Sequence, residues 1–161
     1  MEILMEPRFV DRAPLQVTGM KIITKPMSPE IPQLWPRFVS RIEEIDAILE
    51  PEVSYGVMEM LSGEPGGLSY LAAVSVAHAK LPLPEGMTSE EIPGGPYAVF
   101  EFPLADVGSA FGYIFETWLP ASDYVQAASP IFERYNEKFD PTSPSSLVEA
   151  YIPIRPRSSV A

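Results

Sequence analysis

The sequence predicts an α+β fold: an antiparallel sheet with two main helices on one face. Three observations carry that expectation. Two stretches repeat apolar residues at three- and four-residue steps, as amphipathic helices do. Short runs rich in β-branched and aromatic residues surround them. The order is strand, helix, strand, strand, and then the same again. Strands and helices do not alternate one for one, which argues against a doubly wound parallel sheet.

The elements follow in chain order. Gln16 to Lys25 reads as a strand, with β-branched residues among polar ones. Ser28 supplies an N-cap and Pro29 a first helical position. Ile31, Leu34, Trp35, Phe38, Val39, Ile42 and Ile45 then form one apolar stripe, in which Pro36 is expected to kink or restart the helix. Val53 to Leu61 and Leu68 to Ala77 are strand-like, joined by a loose glycine-rich hairpin loop over 62–67. Leu81 to Gly95 is turn-rich, and Pro96 to Phe102 is another strand. Asp106 is placed to cap a second helix bearing Val107, Ala110, Phe111, Ile114, Phe115 and Trp118, which Pro120 ends. Ala121 to Ala128 reads as a short helix or irregular, Ile131 to Tyr135 as a strand, and Leu147 to Ile154 as the last strand. Residues 157–161 read as a frayed tail.

Composition narrows the function. The 161 residues fit one domain, taken as residues 1–161, and 46% hydrophobic content supports a real core. No apolar run approaches the ~20 residues that cross a bilayer. The start of the chain lacks the pattern of a secretory signal. There is no cysteine, so disulfides and thiolate chemistry are excluded and a cytoplasmic setting is expected. A net charge of −11 argues against direct nucleic-acid binding and against docking on anionic membranes. The nineteen prolines are spread as punctuation between short elements.

Motifs for nucleotide binding are absent. The single histidine, His78, cannot build a histidine-rich zinc site and reads as a surface residue at a hairpin end. No metal or cofactor is expected. The informative residues are aromatic and acidic. In the last strand Glu149 and Tyr151 share one face, while Val148, Ala150, Ile152 and Ile154 share the other and should pack under the helices. Glu149 then points to solvent or into a cavity, and composition favours solvent. Tyr70, Ala72, Val74 and Val76 share a face of their strand, as do Tyr55, Val57 and Glu59, and Tyr97, Val99 and Glu101. Alternation alone leaves open whether these walls are sheet packing or a ligand site.

Several stretches then converge. They are Ile31 to Phe38 (IPQLWPRF), Tyr55 to Val57, Gly86-Met87, Ile92 to Phe100 (IPGGPYAVF), Trp118 to Tyr124 (WLPASDY), Phe132 to Tyr135 (FERY) and Glu149 to Ile154 (EAYIPI). Together, over about residues 5–155, they resemble the GyrI-like small-molecule-binding domain, which is also the effector-binding domain of bacterial multidrug-responsive transcription activators. The resemblance implies two β-α-β-β repeats related by a pseudo-twofold, with a ligand cleft on the face away from the helices. The cleft would take hydrophobic, often cationic, aromatic molecules. It would place Glu149 inward, reversing the preference for solvent, with Tyr151, Tyr70, Tyr55, Trp35, Tyr97 and Trp118 as candidate walls. Desolvation should raise the Glu149 pKa, and each ring facing a cation should add about 0.5–2 kcal/mol.

The activators carry a helix-turn-helix that this sequence lacks, so a stand-alone member is expected, with a separate DNA-binding partner as one way to regulate transcription. Two other roles follow from the resemblance. One is a hydrolase opening cyclopropane-bearing compounds, with Glu149 as general base and Tyr70 or Tyr151 as proton donor. The other is contact with DNA gyrase, for which Glu43, Glu44, Asp46 and Glu50 are the densest acidic group; they read better as a solvated helix face. A haem role has no credible axial ligand beyond His78.

Overall fold

The structure, a computed structural model, describes residues 6–61 and 66–157. Among these, nine strands join in one antiparallel sheet. They are β1 (Arg8–Arg12), β2 (Leu15–Thr24), β3 (Ser54–Met60), β4 (Leu68–Ser75), β5 (Thr88–Ile92), β6 (Gly95–Pro103), β7 (Tyr124–Gln126), β8 (Ile131–Tyr135) and β9 (Leu147–Pro156). The order across the sheet is β1-β6-β9-β8-β3-β4-β2-β5, with β7 paired to the end of β9. Helix α1 (Glu30–Val39) follows β2, and α2 (Val107–Tyr113) follows β6. The sheet order reads the same from either end: β6-β9-β8 mirrors β2-β4-β3, and the two repeats meet where β8 pairs with β3.

Both helices lie on one side. From α1, Leu34 and Phe38 are buried against Met20, Tyr70, Ala72, Val74 and Val76. Ala110 from α2 and Ile114, just after it, pack on Ala98, Phe100, Val148, Ala150, Ile152 and Ile154. The alternation read from β4 and β9 therefore sorts these side chains correctly. The helix starts one residue later than expected: Pro29, not Ser28, is the N-cap and makes no side-chain capping bond, while Ser28 Oγ accepts the Glu30 amide at 3.1 Å just before it. Helix α1 runs through Pro36 and ends at Val39, and Ile42 and Ile45 follow in and after a separate 3-10 turn. Val39, assigned to the apolar stripe, is exposed. The path of α2 continues as a π-helical turn (Ile114–Trp118) and a final turn (Leu119–Ala121), so Pro120 lies inside the last turn instead of ending the helix. The Asp106 side chain makes no capping bond.

Three strands run where none was expected. β1 and β5 are the two outer edges, and each precedes one repeat in sequence but pairs with the other repeat: β1 with β6, β5 with β2. β7 lies in the segment read as helical or irregular. Residues 62–65 of the predicted hairpin loop and residues 158–161 of the predicted tail lie outside the described residues. No helix among the described residues is long and apolar enough to cross a membrane.

Candidate ligand-binding site

The side of the sheet away from the helices is filled by the protein's own side chains. Tyr55, Val57, Tyr97, Val99, Phe132 and Tyr151 form one buried cluster there. Phe132 stacks on Tyr151 with ring centroids 4.5 Å apart, and Tyr97 meets both edge-on. Arg12, from β1, lies over the Phe132 and Tyr151 rings.

Glu149 is on this side, pointing inward and only 8% exposed. Its charge is already matched. Arg8 Nη2 donates to Glu149 Oε2 at 2.6 Å, and Arg134 Nη1 donates to Oε1 at 3.0 Å. Burial alone would push the carboxyl up, but the hydrogen bonds and charges of the two guanidinium groups outweigh it and hold the pKa below the usual value. That is opposite to the shift expected from an isolated carboxylate.

A second inward carboxylate lies on the helix side, at the seam between repeats. β8 alternates so that Phe132 joins the cluster on the far side while Ile131 and Tyr135 pack toward α2. Glu133, between them, shares their face. It is 6% exposed. Among the described residues it is ion-paired with no Lys, Arg or His. Its bonds come from two phenols: Tyr70 Oη donates to Oε1 at 3.3 Å, and Tyr135 Oη donates to the same oxygen. Oε2 takes no bond from a described residue and is not sealed from solvent. Burial raises the Glu133 pKa, and the two hydroxyls only partly offset that. Burial, followed by the nearby Glu133 charge, drives both tyrosines well above their usual range.

Trp35 closes this box. Its Nε1 donates to Tyr70 Oη at 3.1 Å, and its ring lies edge-on to Tyr70 and to Tyr135. Trp35 belongs to the α1 cluster and Tyr135 to the α2 cluster, so their contact joins the two repeats. Both remain partly exposed. Gly56, paired with Glu133 in the β3–β8 register, forms the floor: a Cβ there would collide with Tyr70 Oη and lie 3.1 Å from Glu133 Oε1.

The residues singled out from sequence thus fall into three places. Trp35 and Tyr70 meet at Glu133. Tyr55, Tyr97, Tyr151 and Glu149 meet on the opposite side. Trp118 stands apart, against Phe9 and Phe100, beside a surface hollow of about 330 Å³ that Glu6, Pro7 and Tyr113 also line. His78 is exposed. Glu133 and Tyr135 were missed, although a glutamate flanked at i±2 by Ile131 and Tyr135 was the available signal. Among the described residues no group of acidic or histidine side chains is placed to hold a metal.

Two β-α-β-β repeats that meet at one seam of an antiparallel sheet, with both helices on one side, define a fold of the effector-binding type. Residues 5–155 match the GyrI-like small molecule binding domain, and the chain belongs to that family. It is 33% identical over 153 residues to the transcriptional regulator BrlR of Pseudomonas aeruginosa; the match covers 93% of this chain and 56% of BrlR, so the chain spans about half that relative's length. The fold resembles SAV2435 bound to tetraphenylphosphonium (TM-score 0.69, 20% identity, 94% of each chain). It also resembles the C-terminal domain of EcmrR (TM-score 0.71, 12% identity, 96% of this chain and 99% of that one).

Proposed function

We propose that the protein binds apolar aromatic cations in the seam between its repeats, with Glu133 meeting the charge, the partly exposed Trp35 and Tyr135 supplying ring surface, and the buried Tyr70 holding the carboxylate in place through its hydroxyl. The observation that carries this reading is the buried Glu133 carboxylate with no cationic partner among the described residues. A buried, unpaired carboxylate is costly, and a delocalised cation offsets that cost without demanding a hydrated site. Each ring face adds about 0.5–2 kcal/mol of cation–π attraction. Glu149 is poorly suited to the same task, because two guanidinium groups already satisfy it. Tetraphenylphosphonium on the similarly folded SAV2435 supports this ligand class. The relation to BrlR supports a role in transcription regulation, through a DNA-binding segment or partner outside the described residues.

The test uses two probes of similar shape and different charge: methyltriphenylphosphonium and neutral triphenylphosphine oxide, titrated by calorimetry. The wild type should prefer the cation by about tenfold or more, equivalent to about 1.4 kcal/mol. Glu133→Gln should bind both alike. Equal affinities in the wild type would defeat the reading.

A second reading is favoured by one observation, the two phenol hydroxyls that flank a carboxyl of raised pKa. That set suits acid–base chemistry. Hydrolysis of a cyclopropane-bearing electrophile would then use Glu133 to activate water and Tyr70 or Tyr135 to protonate the opened product. Glu149, held at low pKa, is the weaker base. Turnover abolished in Glu133→Gln would establish hydrolysis over binding alone.

A further inference from the structure

An ionic chain crosses the sheet on the side away from the helices, beneath the strand that carries Glu133. Arg134 forks: Nη1 donates to Glu149 Oε1 at 3.0 Å, and Nη2 donates to Glu50 Oε2 at 3.2 Å. Glu50 Oε1 in turn accepts from Tyr55 Oη at 2.6 Å and Ser75 Oγ at 2.8 Å. Burial would raise the Glu50 pKa, but these three donors outweigh it, so the group stays charged. Glu50, Tyr55 and Ser75 belong to the first repeat; Arg134 and Glu149 belong to the second. The fork therefore spans the β3–β8 seam, where Arg134 sits in register with Tyr55.

The position matters because Arg134 and Glu133 are consecutive residues on opposite sides of one pleat. A slide or tilt of β8 that breaks the fork moves Glu133 relative to Tyr70, which β4 of the first repeat carries. A planar guanidinium holding two carboxylates resists that motion in a way a single-point ammonium does not. Arg8, whose side chain is 51% exposed, is an outer partner of Glu149 and lies off this path.

We propose that Arg134, Glu149 and Glu50 are positioning residues: a clamp beneath the seam that fixes Glu133 against Tyr70 and thereby sets ligand affinity without touching the ligand. The proposal rests on the reading of Glu133 as the ligand's charge partner. It also gives Glu149 a role different from the one the family resemblance implies.

The experiment titrates methyltriphenylphosphonium and triphenylphosphine oxide against Arg134→Lys, Glu149→Gln and Glu50→Gln in the full chain, well below each melting transition. Lysine keeps the charge but loses the fork, and Glu50→Gln keeps an acceptor; the melting transition of each variant reports whether it folds. The clamp predicts that both probes weaken together by about five- to tenfold, that the cation-to-neutral ratio stays within about twofold of wild type, and that the pH midpoint of phosphonium binding moves upward as Glu133 loses its aligned hydroxyls. A purely structural bridge would lower the melting temperature and leave that midpoint in place, which overturns the proposal. A ratio that collapses in Glu149→Gln also overturns it, by placing Glu149 itself against the ligand. Glu133→Gln serves as the separate control. If it keeps the ratio, the reading of Glu133 fails and takes the clamp's role with it. If it loses the ratio while Arg134→Lys binds both probes like wild type, only the clamp fails.

Discussion

Gly56→Ala adds one carbon to the floor of the ring box, and its cost is calculable from the structure. The new Cβ would overlap Tyr70 Oη and lie 2.8 Å from Tyr70 Cζ and 3.1 Å from Glu133 Oε1. Contacts this short require a shift. Tyr70 is 1% exposed and is tied to both Trp35 and Glu133, so its ring cannot swing into open space. Overpacking of this kind costs about 1–3 kcal/mol. Loss of the Trp35–Tyr70 and Tyr70–Glu133 bonds adds about 1 kcal/mol each where no new partner is found. For a chain of this size each kcal/mol lowers the melting temperature by about 2–4 °C. Differential scanning calorimetry should therefore show a fall of about 2 to 20 °C. Phosphonium affinity should drop by more than about tenfold, because the carboxylate and its hydroxyl donor are both displaced. A variant with wild-type melting and wild-type affinity would refute both the packing of the seam and its role as the site.

Other outcomes follow from the same geometry. Phosphonium affinity should rise with pH through the raised Glu133 pKa and then level off, because the cation binds the ionised form; triphenylphosphine oxide affinity should stay flat over the same range. Glu133→Gln should melt higher than wild type at pH 8, since a folded pKa above the unfolded value costs stability as pH rises through it; thermal melts at pH 5 and pH 8 check the sign. Glu149 has the opposite sign: its depressed pKa contributes stability above the ordinary carboxylate value that is lost in acid, so acid unfolding of Glu149→Gln should begin from a lower plateau and show a weaker pH dependence. Arg8→Ala should cost at most about 1 kcal/mol in urea unfolding, as an exposed ion pair does, because Arg134 still holds Glu149.

The parts of the fold legible in the sequence are those with a strong period. The stripe from Ile31 to Phe38 and the alternation of Val148, Ala150, Ile152 and Ile154 each fix a face, and the structure packs those faces together. The edge strands were not legible. β5 (TSEEI) is polar and has one fully buried side chain, and β1 (RFVDR) has none, so neither carries a hydrophobic pattern to read. The site was legible in type but divided in place. Alternation and composition favour solvent for Glu149; the family resemblance turns it inward, and it is inward. Sequence does not show that Arg8, 141 residues away, and Arg134 reach it, since pairing at that separation is a property of the sheet order. Glu133 was hidden by the ordinary look of IFERY, a short strand in which a charged residue reads as solvent-facing. Its burial depends on Tyr70 and Trp35 arriving from the other repeat.

The most direct measurement is a carboxyl NMR titration of Glu133, with the protein free and saturated with methyltriphenylphosphonium. Glu133 should titrate above the ordinary glutamate value in the free protein and move down when the cation binds. A Glu133 that titrates normally, or one whose titration the cation leaves unmoved while Glu149 responds, would contradict the role proposed for Glu133.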